Sequence, residues 1–213
     1  QECYGEDQYH MGEMGAALTR GVQSQNVMAC IKHFALNSIE NARFKVDVHV
    51  DKRTLHEVYL PHFKRCIEEG AASVMGAYNK VEGHQASESK MLLRDILRDK
   101  WGFEGFTLSD FIWAVKDAVK AVKNGMNIEM PSIMHYHNEL PKAVEEGRID
   151  IEDIDEAVGY ILRTIIYYET RKDPMEYTPD IIACPEHIAL ARRAAEESMV
   201  LLKNKDGVLP FSK

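Results

Sequence analysis

Several short apolar runs in this 213-residue sequence close on side chains able to do chemistry. Val27 to His33 ends in the pair Lys32 and His33, and Ala72 to Tyr78 ends in Tyr78 and Asn79. Phe106 to Ser109 is followed at once by Asp110, and Met126 to Met130 carries Glu129 just before Pro131. In parallel α/β architectures reactive groups project from the C-terminal ends of strands. A cation, an imidazole, a phenol and carboxylates gathered there would suit a polyhydroxylated ligand, whose hydroxyls need both donors and acceptors. Asp110 lies between an apolar strand and the ring of Phe111. A carboxylate so placed can attack an anomeric carbon or stabilise an oxocarbenium-like transition state. It can equally cap the helix that follows, and spacing leaves both readings open. Lys32 can donate to hydroxyls or form a Schiff base with a carbonyl. His33 can be a base, a hydroxyl ligand or a satisfied core histidine. Glu129 can be a second active-site carboxylate or a structural partner for a cation.

No cofactor is expected. His135-Tyr136-His137 places its imidazoles on alternate residues, and no His-Glu-x-x-His cluster accompanies them, so no metal is expected either. A Gly-x-Ser-x-Gly elbow is absent, which argues against a serine hydrolase. No Gly-x-Gly-x-x-Gly or Gly-x-x-x-x-Gly-Lys-Ser/Thr loop is present to cradle a nucleotide phosphate.

The elements that must position these residues alternate strand-like and helical patterns, the signature of a parallel α/β fold. Helices are predicted near 11–24, 113–124, 138–146, 152–169 and 186–197, the fourth capped by Asp150 or Asp153. Residues 44–51 alternate strictly, with Phe44, Val46, Val48 and Val50 on one side. That pattern predicts a half-exposed strand, part of a hairpin outside the main sheet. Asp51 or Thr54 caps the next helix, which Pro61 interrupts and Gly70 ends. Ser87 or Ser89 starts a helix carrying Leu92, Leu93, Ile96 and Leu97. Gly102 and Gly105 bracket the turn into the strand before Asp110. Met126 to Met130 and Met199 to Leu202 read as short strands. Pro174, Pro179 and Pro185 mark residues 171–185 as a linker. These units are too few for a closed eightfold barrel of about 250 residues, and an open doubly wound sheet is the alternative.

Composition limits the partners. With 45% hydrophobic and 28% charged residues the chain is of ordinary globular type. Its 34 acidic against 26 basic residues give a net charge of −8. That balance disfavours nucleic acid and anionic membranes, both of which need a concentrated basic surface. Lys52-Arg53 and Arg192-Arg193 read as solvated helix faces. No run approaches the roughly 20 apolar residues of a membrane span. The first residues form no signal peptide, and there is no initiator Met. Localisation therefore stays open between cytoplasm, periplasm and export. Cys3, Cys30, Cys66 and Cys184 form no Cys-x-x-Cys pair and are expected to be buried free thiols, compatible with a reducing compartment.

At these residues the chain resembles glycoside hydrolase family 3, from Gly5 to its last residues. Gly5-Glu6-Asp7 looks like the end of the family's Gly-Arg-x-Phe-Glu-x-x-Gly-Glu-Asp motif. Lys32-His33-Phe34 with Asn37, Glu40 and Arg43 matches Lys-His-Phe-x-x-Asn-x-x-Glu-x-x-Arg. Tyr78-Asn79-Lys80-Val81-x-Gly83, Ser109-Asp110-Phe111 and Glu129-Met130-Pro131 match three further segments, in order and at family spacing. The resemblance implies a partial TIM-type (β/α)8 barrel over 1–170. Residues 171–213 would then be a linker leading toward a further α/β-sandwich domain, with Val200 to Asn204 and Gly207 to Pro210 at its start. It implies a retaining exo-β-glycosidase acting on small β-glucosides or cello-oligosaccharides. Asp110 would be the nucleophile, with Lys32, His33, Arg43 and Tyr78 binding the sugar and Met75 and Phe111 near its face. Phe111 stands where the family usually has Trp. The run Ala35-Leu36-Asn37 disfavours the N-acetylglucosaminide branch, whose motif continues Pro-Gly-His-Gly.

A retaining mechanism needs two carboxyl groups about 5–5.5 Å apart. The chain supplies the first, so the resemblance implies an interior fragment whose acid/base lies in the absent domain. A β-xylosidase of the same family, a Schiff-base lyase or aldolase using Lys32, and a non-catalytic sugar-binding remnant are the alternatives.

Overall fold

A computed structural model describes residues 3–131 and 133–211. Its strands are β1 (Cys30–Phe34), β2 (Asp47–Val48), β3 (Ser73–Gly76), β4 (Lys80–Val81), β5 (His84–Gln85) and β6 (Phe106–Leu108). β1, β3 and β6 form a parallel sheet in that order. Ile128 adds a single parallel bridge to Leu108 at the β6 edge. Helices connect these parallel strands, the α/β pattern expected from the sequence.

Local chemistry starts and stops the helices. Asp7 accepts the His10 amide at 2.7 Å and caps α1 (Gln8–Ser24). Asp51 Oδ1 accepts the Arg53 and Thr54 amides, each at 3.0 Å, opening the single turn α2 (Lys52–Thr54). The chain then widens to π geometry over Leu55–Tyr59, and α3 (Pro61–Glu68) restarts with Pro61 as its first residue. Proline lacks the N–H that a helix interior needs, so it begins a helix instead of continuing one. α1 packs on α3. Met91–Lys100 is also π-wound, and it buries Leu92, Leu93, Ile96 and Leu97. Ser89 Oγ accepts the Leu92 amide at 3.3 Å at its start. A Cβ on Gly105 would stand 2.2 Å from the Ala72 carbonyl oxygen, so β6 can approach β3 only through glycine.

The main core gathers Phe34, Phe63, Leu92, Leu93, Leu97 and Met126, with Phe34 edge-on to Phe63 at 5.2 Å and to Trp101 at 5.9 Å. A smaller core of Val122, Ala143, Ile149 and Ala157 joins α4 (Ala118–Lys123), α5 (His135–Glu145) and α6 (Ile151–Glu169). Arg98 is buried beneath β6. Its Nη1 donates to the carbonyls of Phe103 and Gly105, each at 2.6 Å, and its Nη2 to Asn127 Oδ1 at 2.9 Å. The guanidinium also lies 3.7 Å from the centre of the Tyr160 ring, which ties α6 to the sheet.

The described chain divides into two compact units, one up to Pro174 and one from Met175 on. The second holds the turn Pro179–Ile181, α7 (Pro185–Glu197) and a loop in which Asn204 bonds both backbone groups of Leu209. No described helix is long and apolar enough to cross a membrane.

Several predicted elements are shorter than expected. Of residues 44–51 only Asp47–Val48 forms a ladder, because the Ala42 carbonyl turns Lys45 and Val46 back while Asp51 already caps α2. The hairpin is β4–β5, and β2 lies parallel to β4 beside it. The helix predicted over 113–124 begins only at Ala118, capped by Asp117. Met126 to Met130 makes one bridge, because the Thr107 carbonyl accepts both the Asn127 and Ile128 amides. Asp150 holds the cap position of α6 without a side-chain bond. Met199 to Leu202 is exposed and forms no strand among the described residues. All four cysteines are free, but only Cys66 is buried; Cys30 is exposed on edge strand β1 and Cys3 near the start of the chain.

Candidate active site

Asp110 emerges directly from β6 and is 8% exposed. The Ser109 amide donates to the Ile128 carbonyl and Ser109 Oγ accepts the Met130 amide, both at 2.9 Å, which fixes the strand end. Asp110 Oδ1 accepts the amide of Phe111 at 2.8 Å. That bond is local, and the next helix starts at Ala118 under Asp117, so Asp110 is no helix cap. Its other oxygen faces His33 Nε2 at 3.3 Å, delivered from the end of β1. The peptide bonds Lys32–His33 and Phe34–Ala35 are cis. Buried Asn79 donates to the Ala35 carbonyl at 3.2 Å and so ties the end of β1 to the end of β3.

Burial lowers the His33 pKa, with the cations Lys32 and Arg43 adding to the effect and the Asp110 charge opposing it. His33 therefore faces the Asp110 carboxylate as a neutral imidazole at physiological pH. Tyr78 donates its hydroxyl to the Phe111 carbonyl at 2.9 Å. Burial, then the negative Asp110 beside it, pushes the phenol up to about 12, so it stays protonated at any physiological pH. His49, between Glu82 and Asp47 in the small sheet, is raised instead, first by its hydrogen bond to Glu82. An NMR titration is therefore expected to place His33 below the ordinary histidine value and His49 above it. The sign for stability is opposite in the two. The unfolded chain protonates before buried His33, so that contribution is present above the ordinary pKa and lost as pH falls from there through the lower folded value. The His49 contribution is present below the ordinary pKa and lost as pH rises through its folded value.

Beside the carboxylate the ring of Phe44 meets Tyr78 at 4.7 Å and Trp113 edge-on at 5.4 Å. The Arg43 guanidinium lies 4.9 Å from the Phe44 ring centre and 5.1 Å from that of Tyr78, while its Nη1 bonds Glu40 at 2.7 Å. A cavity of about 280 Å³ opens here, lined by Phe44, Tyr78, Trp113 and Lys116. A larger one of about 610 Å³ lies at the opposite strand ends, between Ala71–Ala72 before β3 and Gly102–Gly105 before β6. Barrels carry chemistry at the C-terminal ends, so the smaller cavity is the candidate site.

The loop that shapes it is built, not loose. The Trp113 amide closes a γ-turn on the Phe111 carbonyl at 2.8 Å around Ile112, whose φ is +70°. That conformation is strained for a β-branched residue. At the far end of the loop buried Glu88 accepts the Lys116 and Asp117 amides at 2.5 and 2.9 Å. Glu88→Ala orphans both amides and is expected to cost about 2 kcal/mol in denaturant unfolding, from bonds to a charged acceptor worth about 1.5–3 kcal/mol each less local rehydration.

Of the residues singled out from sequence, His33, Arg43, Tyr78, Asp110 and the backbone of Phe111 converge. Lys32 is exposed, and its side chain makes no hydrogen bond among the described residues. Met75 is buried within β3, paired with Leu108. The Phe111 ring is 44% exposed. Glu129 neither serves as a second carboxylate in this cluster nor holds a cation: its two oxygens accept the His135 and Tyr136 amides at 3.0 and 2.8 Å and cap α5. His135 pairs with Glu139 at 3.0 Å, and no group of three or more potential ligands for a metal exists among the described residues. Phe44, Trp113, Lys116 and Glu88 were not flagged by sequence. One of the two tryptophans standing three residues after Asp110 was a signal, masked by the helical pattern of 113–124.

Residues 1–164 match the model of the glycosyl hydrolase family 3 N terminal domain. Thermostable beta-glucosidase B of Acetivibrio thermocellus is 40% identical over 215 residues, which cover 100% of this chain and 28% of that protein. An exo-alpha-(1->6)-L-arabinopyranosidase of Bifidobacterium breve is 34% identical, covering 99% and 27%. Beta-glucosidase 3B of Thermotoga neapolitana, solved with glucose, superposes with a TM-score of 0.87 at 36% identity over 99% of this chain and 30% of that one. The Kluyveromyces marxianus beta-glucosidase, also solved with glucose, gives 0.89 at 32% identity over 98% and 26%. The strand and helix layer here is thus part of a TIM-type barrel, and the chain spans between a quarter and a third of the length of these relatives.

Proposed function

The chain belongs to glycosyl hydrolase family 3 through its N-terminal domain, and from that premise we propose that it carries the nucleophile half of a retaining exo-β-glucosidase. Asp110 Oδ2 attacks the anomeric carbon of a terminal β-D-glucosyl unit as the bond from that carbon to the leaving oxygen breaks. The leaving oxygen takes a proton, or departs as a phenolate when it is acidic enough. Water then attacks the α-linked ester, gives its proton to the acid/base, and returns β-glucose and free Asp110. The observation that carries this reading is the asymmetry of the carboxylate. One oxygen is fixed by a backbone amide and the other is presented at the strand ends, beside a neutral imidazole and near an aromatic cavity.

His33, Arg43 and Lys32 hold the sugar hydroxyls, and the neutral phenol of Tyr78 adds no charge beside the nucleophile. Met75 and Phe111 lie toward the sugar face. The proton donor comes from a part of the longer protein outside this chain; Glu129, the other strand-end carboxylate, is already spent on α5. Lys32 supports this reading over a Schiff-base lyase, because it is exposed where a nucleophilic amine needs a desolvated pocket.

As a free polypeptide the chain is expected to act poorly on cellobiose and better on 2,4-dinitrophenyl β-glucoside, whose leaving group needs no acid. Proton NMR of that reaction is expected to show β-glucose first and α-glucose only by later mutarotation. Release of α-glucose first would overturn the retaining reading, and release of xylose but not glucose from the matching glycosides would overturn the sugar.

A further inference from the structure

We propose that the cavity beside Asp110 selects aryl β-glucosides whose leaving phenol carries a carboxylate, with Lys116 as the residue that reads the charge. This rests on Asp110 being the nucleophile and names the substrate class that the same site accepts.

The cavity walls decide for an aromatic leaving group. Three of its four lining residues are rings, with Phe44 edge-on to Trp113 and stacked obliquely on Tyr78. The hydroxyl hydrogen of Tyr78 is already committed to the Phe111 carbonyl. An aryl group can stack on these rings and brings none of the extra hydroxyls that a second sugar must have bonded. At about 280 Å³ the space is close to the lower end of small-molecule pockets and takes about one ring.

Lys116 decides for an anion. It is the lining residue with a charge, it is exposed, and it makes no ion pair among the described residues. Arg43, the other cation against these rings, is matched by Glu40 at 2.7 Å. A chain of net charge −8 thus places an ammonium without an ion pair among the described residues at the rim of an aromatic slot, whose Tyr78 neighbours Asp110. The position is set by backbone: Glu88 holds the Lys116 amide, and the strained γ-turn at Ile112 turns Trp113 toward Phe44. Strain retained in an exposed loop points to a working surface.

The test compares two 2-deoxy-2-fluoro-β-glucosides bearing nitrophenyl leaving groups, one with a ring carboxylate and one with its methyl ester. In each, the fluoroglucosyl group is transferred to Asp110 and the phenolate departs. The ratio of their labelling rates is measured by intact mass in the unaltered chain, in K116Q and in K116E, so that intrinsic reactivity cancels. The ratio is expected to fall about fivefold in K116Q, the scale of an exposed ion pair, and further in K116E, with the difference fading at high salt. Trp113→Ala is expected to slow labelling by both reagents. A ratio unchanged in K116Q and K116E, with Asp110 still labelled, would overturn the role of Lys116 and leave the nucleophile standing. Labelling of neither reagent would remove the nucleophile reading and this inference with it.

Discussion

Asp110→Ala is expected to lower turnover of 2,4-dinitrophenyl β-glucoside by roughly 10⁵-fold or more, the scale seen when a covalent nucleophile is removed. Folding is expected to persist, because Asp110 bonds the amide of its own neighbour, stands beside His33 and Tyr78, and caps no helix. Two further readouts separate loss of a nucleophile from general damage. Azide can enter the vacated space and attack the anomeric carbon directly, forming a carbon–nitrogen bond as the dinitrophenolate leaves. One inversion then yields the α-glucosyl azide and restores phenolate release. The charge of Asp110 also holds the His33 pKa up against burial, so its removal is expected to move the imidazole titration lower still. A variant that keeps its fold but gains neither azide rescue nor the His33 shift would separate Asp110 from both roles.

Arg98→Met is expected to destabilise the unit up to Pro174 by about 3–5 kcal/mol, the range for removing one member of a buried charged network. Its guanidinium satisfies two carbonyls and the Asn127 side chain, and Asn127 in turn accepts the Thr107 amide at 2.8 Å. Methionine fills much of the volume but leaves those acceptors dry. Burial pulls the Arg98 pKa down to about 10, so part of the gain is already offset by desolvation, and the loss stays within a few kcal/mol. At about 2–4 °C per kcal/mol for a chain of this size, the melting temperature is expected to fall by roughly 10 °C. Because Arg98 supports the turn into β6, the same variant is expected to loosen Asp110 and weaken glucose binding. Unfolding within 1 kcal/mol of the parent would show that the network is redundant.

The sequence carries the parallel sheet plainly, since β1, β3 and β6 are short apolar runs bounded by Gly70, Gly102 and Gly105, and each ends where polarity changes. That boundary, with the motif spacing, made Asp110, His33 and Tyr78 visible. What stayed hidden depends on partners far along the chain. The segment 113–117 has helical periodicity, but two of its amides are taken by Glu88, 28 and 29 residues earlier, so it forms a loop and aims Trp113 at Phe44. Glu129 has the look of an active-site acid because it ends a strand. Only the path of α5, which returns its first amides to that carboxylate, turns it into a cap. Phe44 fits a period of two, yet the turn at Ala42 takes it out of any ladder and into the cavity wall. In the second unit, Met199 to Leu202 shows strand composition without a strand, because composition fixes a preference and a ladder needs a partner.

The most direct test is intact-mass spectrometry after incubation with 2,4-dinitrophenyl 2-deoxy-2-fluoro-β-glucoside, followed by peptide mapping. A leaving group that departs without acid assistance removes dependence on any proton donor outside the chain. A single fluoroglucosyl adduct on Asp110, absent from Asp110→Ala, is the expected result. An adduct on any other carboxylate, or none in a chain whose glucose binding has been verified by calorimetry, would contradict the assignment of Asp110 as the nucleophile.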